Sequence, residues 1–389
     1  MRILVPLLSL VLAVGTVGAQ TLTPIAALER LCTAEQILAD WFAPSFLDAV
    51  PLVVVRRILA DFSMEFGRCQ RVAEAGDEYV VVFERGLVDA RIALDEDGRI
   101  TGLLLLRPRA SFSSLAQALQ EFRALPGRIS LLVLEDGREH IVLEPDTALA
   151  VGSTFKLTVL AALKAQIVSG RLTWGSVVRL RPEWKSLPSG ILQDYPDGFE
   201  ITLQRLAELM ISISDNTATD MLIHTLGRGT IETFAPSRNR PFLTTREAFL
   251  LKDPRNRDLL ERYRNGDETA RRAALAETQG RPLPRPDIFA GGPLALDVEW
   301  FYTTRELCTL IAGVADLPLM GINPGLARLS DWTRVAYKGG SEPGVLNLTT
   351  FVEARNRRTY CVATTWIDTA RLNGLRFSSF HTGVLELLK

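Results

Sequence analysis

Two serines, two lysines and an asparagine carry the most chemistry per residue. Gly152-Ser153-Thr154-Phe155-Lys156 precedes the helical run Leu157–Ser169. Ser153 then sits where a helix begins and Lys156 one turn on, so both side chains share a face. A serine hydroxyl is a weak nucleophile until a base takes its proton, and a helix start favours negative charge beside it. Lys156 can be that base if burial or a neighbouring cation lowers its pKa. Taken singly, the pair is ordinary, because Ser caps helices well and Lys is common on them. Ser214-Asp215-Asn216 falls between the helical runs Leu203–Ile211 and Thr217–Leu226; all three residue types also cap helices. Lys338-Gly339-Gly340 closes a β-like run. Its two glycines would let a substrate backbone approach a strand edge, and Lys338 supplies positive charge.

The elements that must position these residues fall into two groups. Residues 24–62 carry two helical patterns, followed by β-like runs at Ser63–Val72, Glu78–Phe83, Leu87–Leu94 and Thr101–Leu106. Helices followed by a meander suggest a small α+β unit, and Arg107-Pro108-Arg109 reads as its end. From Ser111 the pattern restarts with a helix to Ala124 and strands Ile129–Glu135 and His140–Glu144. Three late strands, Arg334–Gly340, Val345–Ala354 and Thr359–Ile367, precede a helix at Arg376–Leu388. One sheet is thus assembled from both ends of the second group, with helices between. The expected division is a leader at 1–19, an accessory α+β domain at 20–108 and a larger domain at 109–389. Residues 252–287, charged and then Pro-rich, read as a solvated surface excursion, with a lid over a cleft as the alternative.

Composition narrows the chemistry. With 44 basic and 45 acidic side chains in 389 residues, the chain has no electrostatic footprint for nucleic acid. Its three histidines, His140, His224 and His381, have no metal-ligand spacing, so no metal or cofactor is expected. Neither a Gly-x-Ser-x-Gly elbow, a Gly-x-Gly-x-x-Gly loop nor a Cys-x-x-Cys pair occurs. The apolar run Ile3–Val17, followed by Gly18-Ala19, fits an export signal cleaved after Ala19. No later run is long enough to span a membrane. The four cysteines fall as Cys32 with Cys69 and Cys308 with Cys361; export permits bridges, and buried thiols fit the pattern equally well.

Together, Ser-x-x-Lys, Ser-Asp-Asn and Lys-Gly-Gly, in that order, resemble the class A β-lactamases and penicillin-binding DD-peptidases. The resemblance covers about residues 110–389. Thr217-Ala218 extends the Ser-Asp-Asn run, and the two-strand start, three-strand finish and closing helix match that layout. It implies an α/β fold, a β-lactamase/DD-peptidase-like domain with an antiparallel sheet flanked by helices, preceded by the small α+β domain. By layout alone, that first domain resembles ketosteroid isomerases. The resemblance further implies that Ser153 attacks the carbonyl of a β-lactam or other acyl donor, and that Lys156 takes its proton under the influence of Lys338. Ser214 relays a proton to the leaving nitrogen, and Asn216 bonds Lys156 and the substrate amide. Backbone N–H groups of Ser153 and Ser341 receive the oxyanion.

This sequence departs from that pattern twice. Gly339 stands where the family usually has Thr or Ser, whose hydroxyl helps bind a substrate carboxylate; Gly340 follows it and Ser341 is a substitute donor. The family's deacylating Glu lies in an E-x-x-L-N loop, and the candidate here, Glu247-Ala248-Phe249-Leu250, is followed by Leu251. Thr244–Glu247 also reads as a capping box, as does Thr303–Glu306. Tyr195 is a candidate aromatic wall for the cleft. The sequence therefore points to an exported serine hydrolase for β-lactams or related acyl or peptide donors. Its alternatives are a slow esterase, a DD-peptidase-like enzyme, or a penicillin-binding module acylated without turnover.

Overall fold

The computed structural model describes residues 22–389, so the leader expected at 1–19 lies outside the described residues. The chain forms two compact units, one ending at Leu106 and the other running Arg107–Lys389. Among the described residues no helix is long and apolar enough to cross a membrane.

In the first unit, strands Cys69–Ala75, Glu78–Phe83, Gly86–Leu94 and Ile100–Ala110, the last running on past Leu106, form a four-stranded meander. The sequence reads Ser63–Val72 as strand, but the helix Leu52–Phe66 takes its first residues and the strand begins only at Cys69. Carrying the helix to Phe66 lets Phe62 and Phe66 stack on each other and on Phe83. Gly67, at φ 80°, then reverses the chain where a side chain would be strained. A disulfide between Cys32 and Cys69 (Cα–Cα 5.9 Å) ties the first helix, Pro24–Thr33, to the first strand.

The second unit is built on one five-stranded antiparallel sheet. Its order is Arg334–Glu342, Val345–Glu353, Thr359–Ile367, Arg128–Glu135 and Arg138–Leu143. Thr359–Ile367 is buried along nearly its whole length, as a central strand covered on both faces must be. On one face the helices Leu115–Arg123 and Gly374–Glu386 meet through Phe122, Phe377 and Phe380, whose rings pack edge to face. On the other face lies a larger helical layer. Its centre is Lys156–Val168, whose Leu157, Val159, Leu160, Ala162 and Leu163 are all buried. The second disulfide, Cys308 to Cys361 (Cα–Cα 5.8 Å), fastens helix Thr304–Val314 to the central strand. Both cysteine pairs are thus bridged.

Residues 252–287 are more than a solvated excursion. Helices Arg257–Asn265 and Glu268–Ala276 bury Leu259, Tyr263, Ala274 and Leu275 in the same core as the Lys156 helix. Their charges occupy the outer faces, and that amphipathic split is what made the segment look solvated.

Candidate active site

Ser153 sits in a 3₁₀ turn, Gly152–Phe155, that runs into the helix beginning at Lys156. Its side chain caps neither the turn nor the helix, so the plain helix-cap reading fails. Phe155 anchors the turn by stacking on Trp300, ring centres 3.7 Å apart. The Lys338 strand is the sheet's edge and passes against this turn. A Cβ on Gly340 would come within 2.1 Å of Val151 O and 2.6 Å of Ser153 N. Only glycine allows that approach, which sets the backbones of Ser153 and Ser341 side by side.

Lys156 is fully buried. Its Nζ donates to Ser214 O at 2.6 Å, Ser214 Oγ at 3.1 Å and Asn216 Oδ1 at 2.7 Å. Burial and then the charge of Lys338 push its pKa well below the ordinary lysine value, against the pull of Asp215 and Asp220. Lys338 is also buried; its Nζ donates to Ser214 Oγ at 3.1 Å and Gly339 O at 2.6 Å. Burial lowers its pKa to about 7. Ser214 Oγ therefore accepts from two lysines. With both lone pairs engaged, its own O–H is left to point elsewhere. Asn216 Nδ2 donates to Leu187 O at 3.0 Å, which spends one of its two N–H groups and leaves one.

Asp215 fixes this constellation. Its Oδ1 caps helix Asn216–Leu226 through Ala218 N, and its Oδ2 accepts from Ile191 N and Leu192 N. A Cβ on Gly190 would overlap that carboxylate at 2.3 Å from Oδ2, so glycine is required where the loop crosses. Asp220, buried and pushed up to about 7 by burial, accepts from Thr245 and Arg246 and so holds helix Thr245–Lys252 in place.

A cavity of about 730 Å³ opens over these groups, lined among others by Ser153, Ser214, Asn216, Lys338 and Ser341. Gly339 and Gly340 complete the strand wall. A Cβ on Gly339 would lie 2.2 Å from Tyr337 Oη. The Tyr337 hydroxyl thus occupies the space that a Thr or Ser side chain at 339 would need, and Tyr337 also lines the cavity.

Two expected site residues lie elsewhere. Glu247 is committed to structure: its Oε2 accepts from Thr244 N at 2.8 Å in a complete capping box, and its Oε1 pairs with Arg228 at 2.6 Å. Among the described residues no hydrogen bond joins it to Lys156. Its helix instead turns Thr245, Ala248, Phe249 and Lys252 to the cavity, a spacing of three and four residues that leaves position 247 off that face. Tyr195 packs edge to face on Phe199, and its carbonyl accepts from Lys185 Nζ; it anchors a loop and is not a cavity wall. His381 is buried between Thr350 and Thr364 at 2.9 and 3.0 Å, with its pKa lowered to about 3 by burial. His224 stacks on Trp184.

Sequence reasoning missed Lys252, Glu299 and Glu342, which line the same cavity. A signal for Glu342 existed, since alternation along a strand puts it on the Lys338 face.

Residues 113–265 match the sequence profile of the beta-lactamase enzyme family. No curated relative matches the chain. Among solved structures, a β-lactamase from Sphaerobacter thermophilus is 20% identical, with 71% of this chain and 96% of that one covered at a TM-score of 0.49. A β-lactamase from Chitinophaga pinensis is 14% identical over 70% and 97%, TM-score 0.49. PBP-A is 20% identical over 70% and 96%, TM-score 0.47. The matched segment contains Ser153, Lys156, Ser214 and Asn216.

Proposed function

We propose that the protein is an exported serine hydrolase that forms an acyl-enzyme on Ser153 with β-lactams or related acyl donors. The observation that carries this reading is the donation of both Lys156 and Lys338 to Ser214 Oγ, at 3.1 Å each, beside Ser153 in one cavity. Ser153 Oγ attacks the acyl carbon, and neutral Lys156 takes its proton. A neutral amine has two N–H groups, so gaining the proton lets Lys156 serve all three of its acceptors at once. Ser214 passes a proton to the leaving nitrogen of a lactam or oxygen of an ester. Backbone N–H groups of Ser153 and Ser341 meet the oxyanion, where loss of one donor typically costs ~10²–10³ in rate. Lys338, with Tyr337 Oη standing in for the missing hydroxyl at Gly339, binds an anionic group of the donor.

One observation favours a slower relative of this activity. With both Glu247 oxygens held by Thr244 and Arg228, the family's usual deacylating position is empty of a free carboxylate. That supports an esterase or DD-peptidase-like enzyme of low turnover, or a penicillin-binding module. Export is supported by the two disulfides, since such bridges persist in oxidising compartments. Intact-mass spectrometry with a penicillin tests the reading. An adduct on the parent that is absent from Ser153→Ala supports it, and its lifetime separates hydrolase from binding module. Ester hydrolysis unchanged in Ser153→Ala, with no adduct on the parent, would overturn it.

A further inference from the structure

The cavity has a second ionisable centre, built from residues outside the three motifs. Lys252 ends the helix Thr245–Lys252, Glu299 precedes Trp300, and Glu342 follows Ser341. All three line the cavity with Ser153. Lys252 Nζ donates to Glu299 Oε1 and to both Glu342 oxygens, the latter at 2.8 and 2.9 Å. The Lys252 and Glu299 side chains are only 3% and 2% exposed, while Glu342 retains 23%. Burial works against the Lys252 ammonium, yet the two carboxylates outweigh it and hold its pKa above the ordinary value. Burial, then the charge of Glu299, pushes the Glu342 carboxyl well above the usual range, so the centre keeps a proton on its carboxyl pair. A protonated carboxyl still accepts at its carbonyl oxygen, so the tie to Lys252 holds in either state.

The two carboxyls belong to the two segments that meet at Ser153. On one side Trp300 stacks on Phe155, and its carbonyl accepts from Val151 N at 3.1 Å, so it fixes the turn that carries the Ser153 N–H. On the other, Glu342 is the last residue of the edge strand and pairs with Val345 across the turn Pro343-Gly344. A Cβ on Gly152 would lie 3.1 Å from Ser341 N, so the Ser341 backbone abuts that same turn. An edge strand has ladder bonds on one side only, and its end needs another tether to hold a fixed place. Lys252 closes a ring of contacts from Ser341 through Glu342 and Glu299 back to Trp300 and the Ser153 turn. Apolar packing could secure the strand as well, because desolvation offsets most of the attraction within a buried ion cluster. What the two bonds from one ammonium add is direction, fixing the strand end along its length as well as across it.

We propose that Lys252, Glu299 and Glu342 form a positioning clamp that holds the Ser341 N–H beside the Ser153 N–H as the second oxyanion donor. This rests on the acyl-enzyme reading above. Glu342 acts through its neighbour Ser341 and takes no proton in the reaction. Oxyanion donors work at about 2.7–3.1 Å from the place where charge develops. A strand end released by a fraction of an ångström therefore weakens the transition state and leaves the first, non-covalent complex almost untouched.

The test is Glu342→Ala, which unties the strand end and leaves Lys252 and Glu299 as a balanced pair. Time-resolved intact-mass spectrometry over a range of penicillin concentrations separates Kd from the acylation rate at saturation. A boronic acid, which forms a tetrahedral adduct on a nucleophilic serine, reports on the oxyanion donors. The expected result is acylation slowed at least ~10-fold, a penicillin Kd within ~3-fold of the parent, and boronic acid affinity falling by the same factor as acylation. Glu342→Gln, which keeps an oxygen for Lys252, should bring acylation back to within ~3-fold of the parent, a rescue that a group needed for its ionisation would not show. Glu342→Asp keeps the charge but shortens the arm; it should fall between alanine and parent, and covers the case in which the alanine variant does not fold. Parent-like acylation in the folded alanine and aspartate variants, a loss confined to Kd, or a glutamine variant as slow as the alanine overturns the proposal and leaves the acyl-enzyme reading intact. If the parent forms no adduct on Ser153, both fall.

Discussion

The cavity holds two buried lysine centres driven in opposite directions. Lys156 and Lys338 are bonded to a hydroxyl, carbonyl groups and an amide but to no carboxylate, and burial lowers both pKa values. Lys252 is about as deeply buried, yet it is bonded to Glu299 and Glu342 and its pKa is raised. Burial fixes the penalty for charge; the partners decide which group bears it. At the first centre burial pushes the lysines toward the neutral form. At the second a carboxyl keeps its proton. The same residue type thus ends with its pKa lowered on one wall and raised on the other.

The largest expected effect strikes the first centre. Lys156→Met should slow acylation of Ser153 by ~10²–10⁴, read as the rate of adduct appearance. In the parent, acylation should fall as pH drops through the lowered pKa of Lys156, because only the neutral amine can take the Ser153 proton. An acylation rate that is flat with pH and indifferent to the methionine would erase the contrast between the two centres.

The second centre is tested through stability. Lys252→Met leaves two buried carboxyls without their cation, which should cost about 3–5 kcal/mol at neutral pH. The Glu342 pKa is raised in the folded protein, so the charged form is what costs. The deficit should therefore shrink as pH falls and the carboxyls protonate. Denaturant unfolding at neutral and acid pH reads both; a loss under about 1 kcal/mol at neutral pH would show that the cation is dispensable.

The smallest effect concerns Glu247. Glu247→Gln weakens a capping box and a part-buried ion pair with Arg228, for a stability loss of about 1 kcal/mol. Adduct lifetime should stay within ~2-fold of the parent. A long-lived adduct in this variant would place the deacylating base on the Glu247 helix after all.

Where a constellation is carried by short motifs, the sequence was legible. Ser153, Lys156, Ser214, Asn216 and Lys338 could be picked out because each triplet has its own local pattern, and the structure gathers them at one cavity. The terminal strands were legible because their alternation and turns are local. The Lys252, Glu299 and Glu342 centre was not, because three ordinary charges scattered along the chain acquire meaning only when folding removes water from them. Ser63–Phe66 was misread for a related reason: its β-like composition yields to the packing of Phe66 on Phe83. Tyr195 was placed near the cleft from its loop, and only its contact with Phe199 reveals an anchor.

The sheet of the second unit carries a consequence for how the molecule comes into being. Arg128–Glu135 pairs with Thr359–Ile367, and the Lys338 strand joins the rest of the sheet only through that late partner. During synthesis, Ser153 and Ser214 emerge long before the strand that brings Lys338 to them can be seated. Pairings of such long sequence separation are slow to form, because loop closure precedes any reward from contact. The cavity lined by Ser153 and Lys338 therefore matures last. A chain stopped before Thr359 would carry every motif residue yet lack the central strand that joins the Lys338 strands to the rest of the sheet.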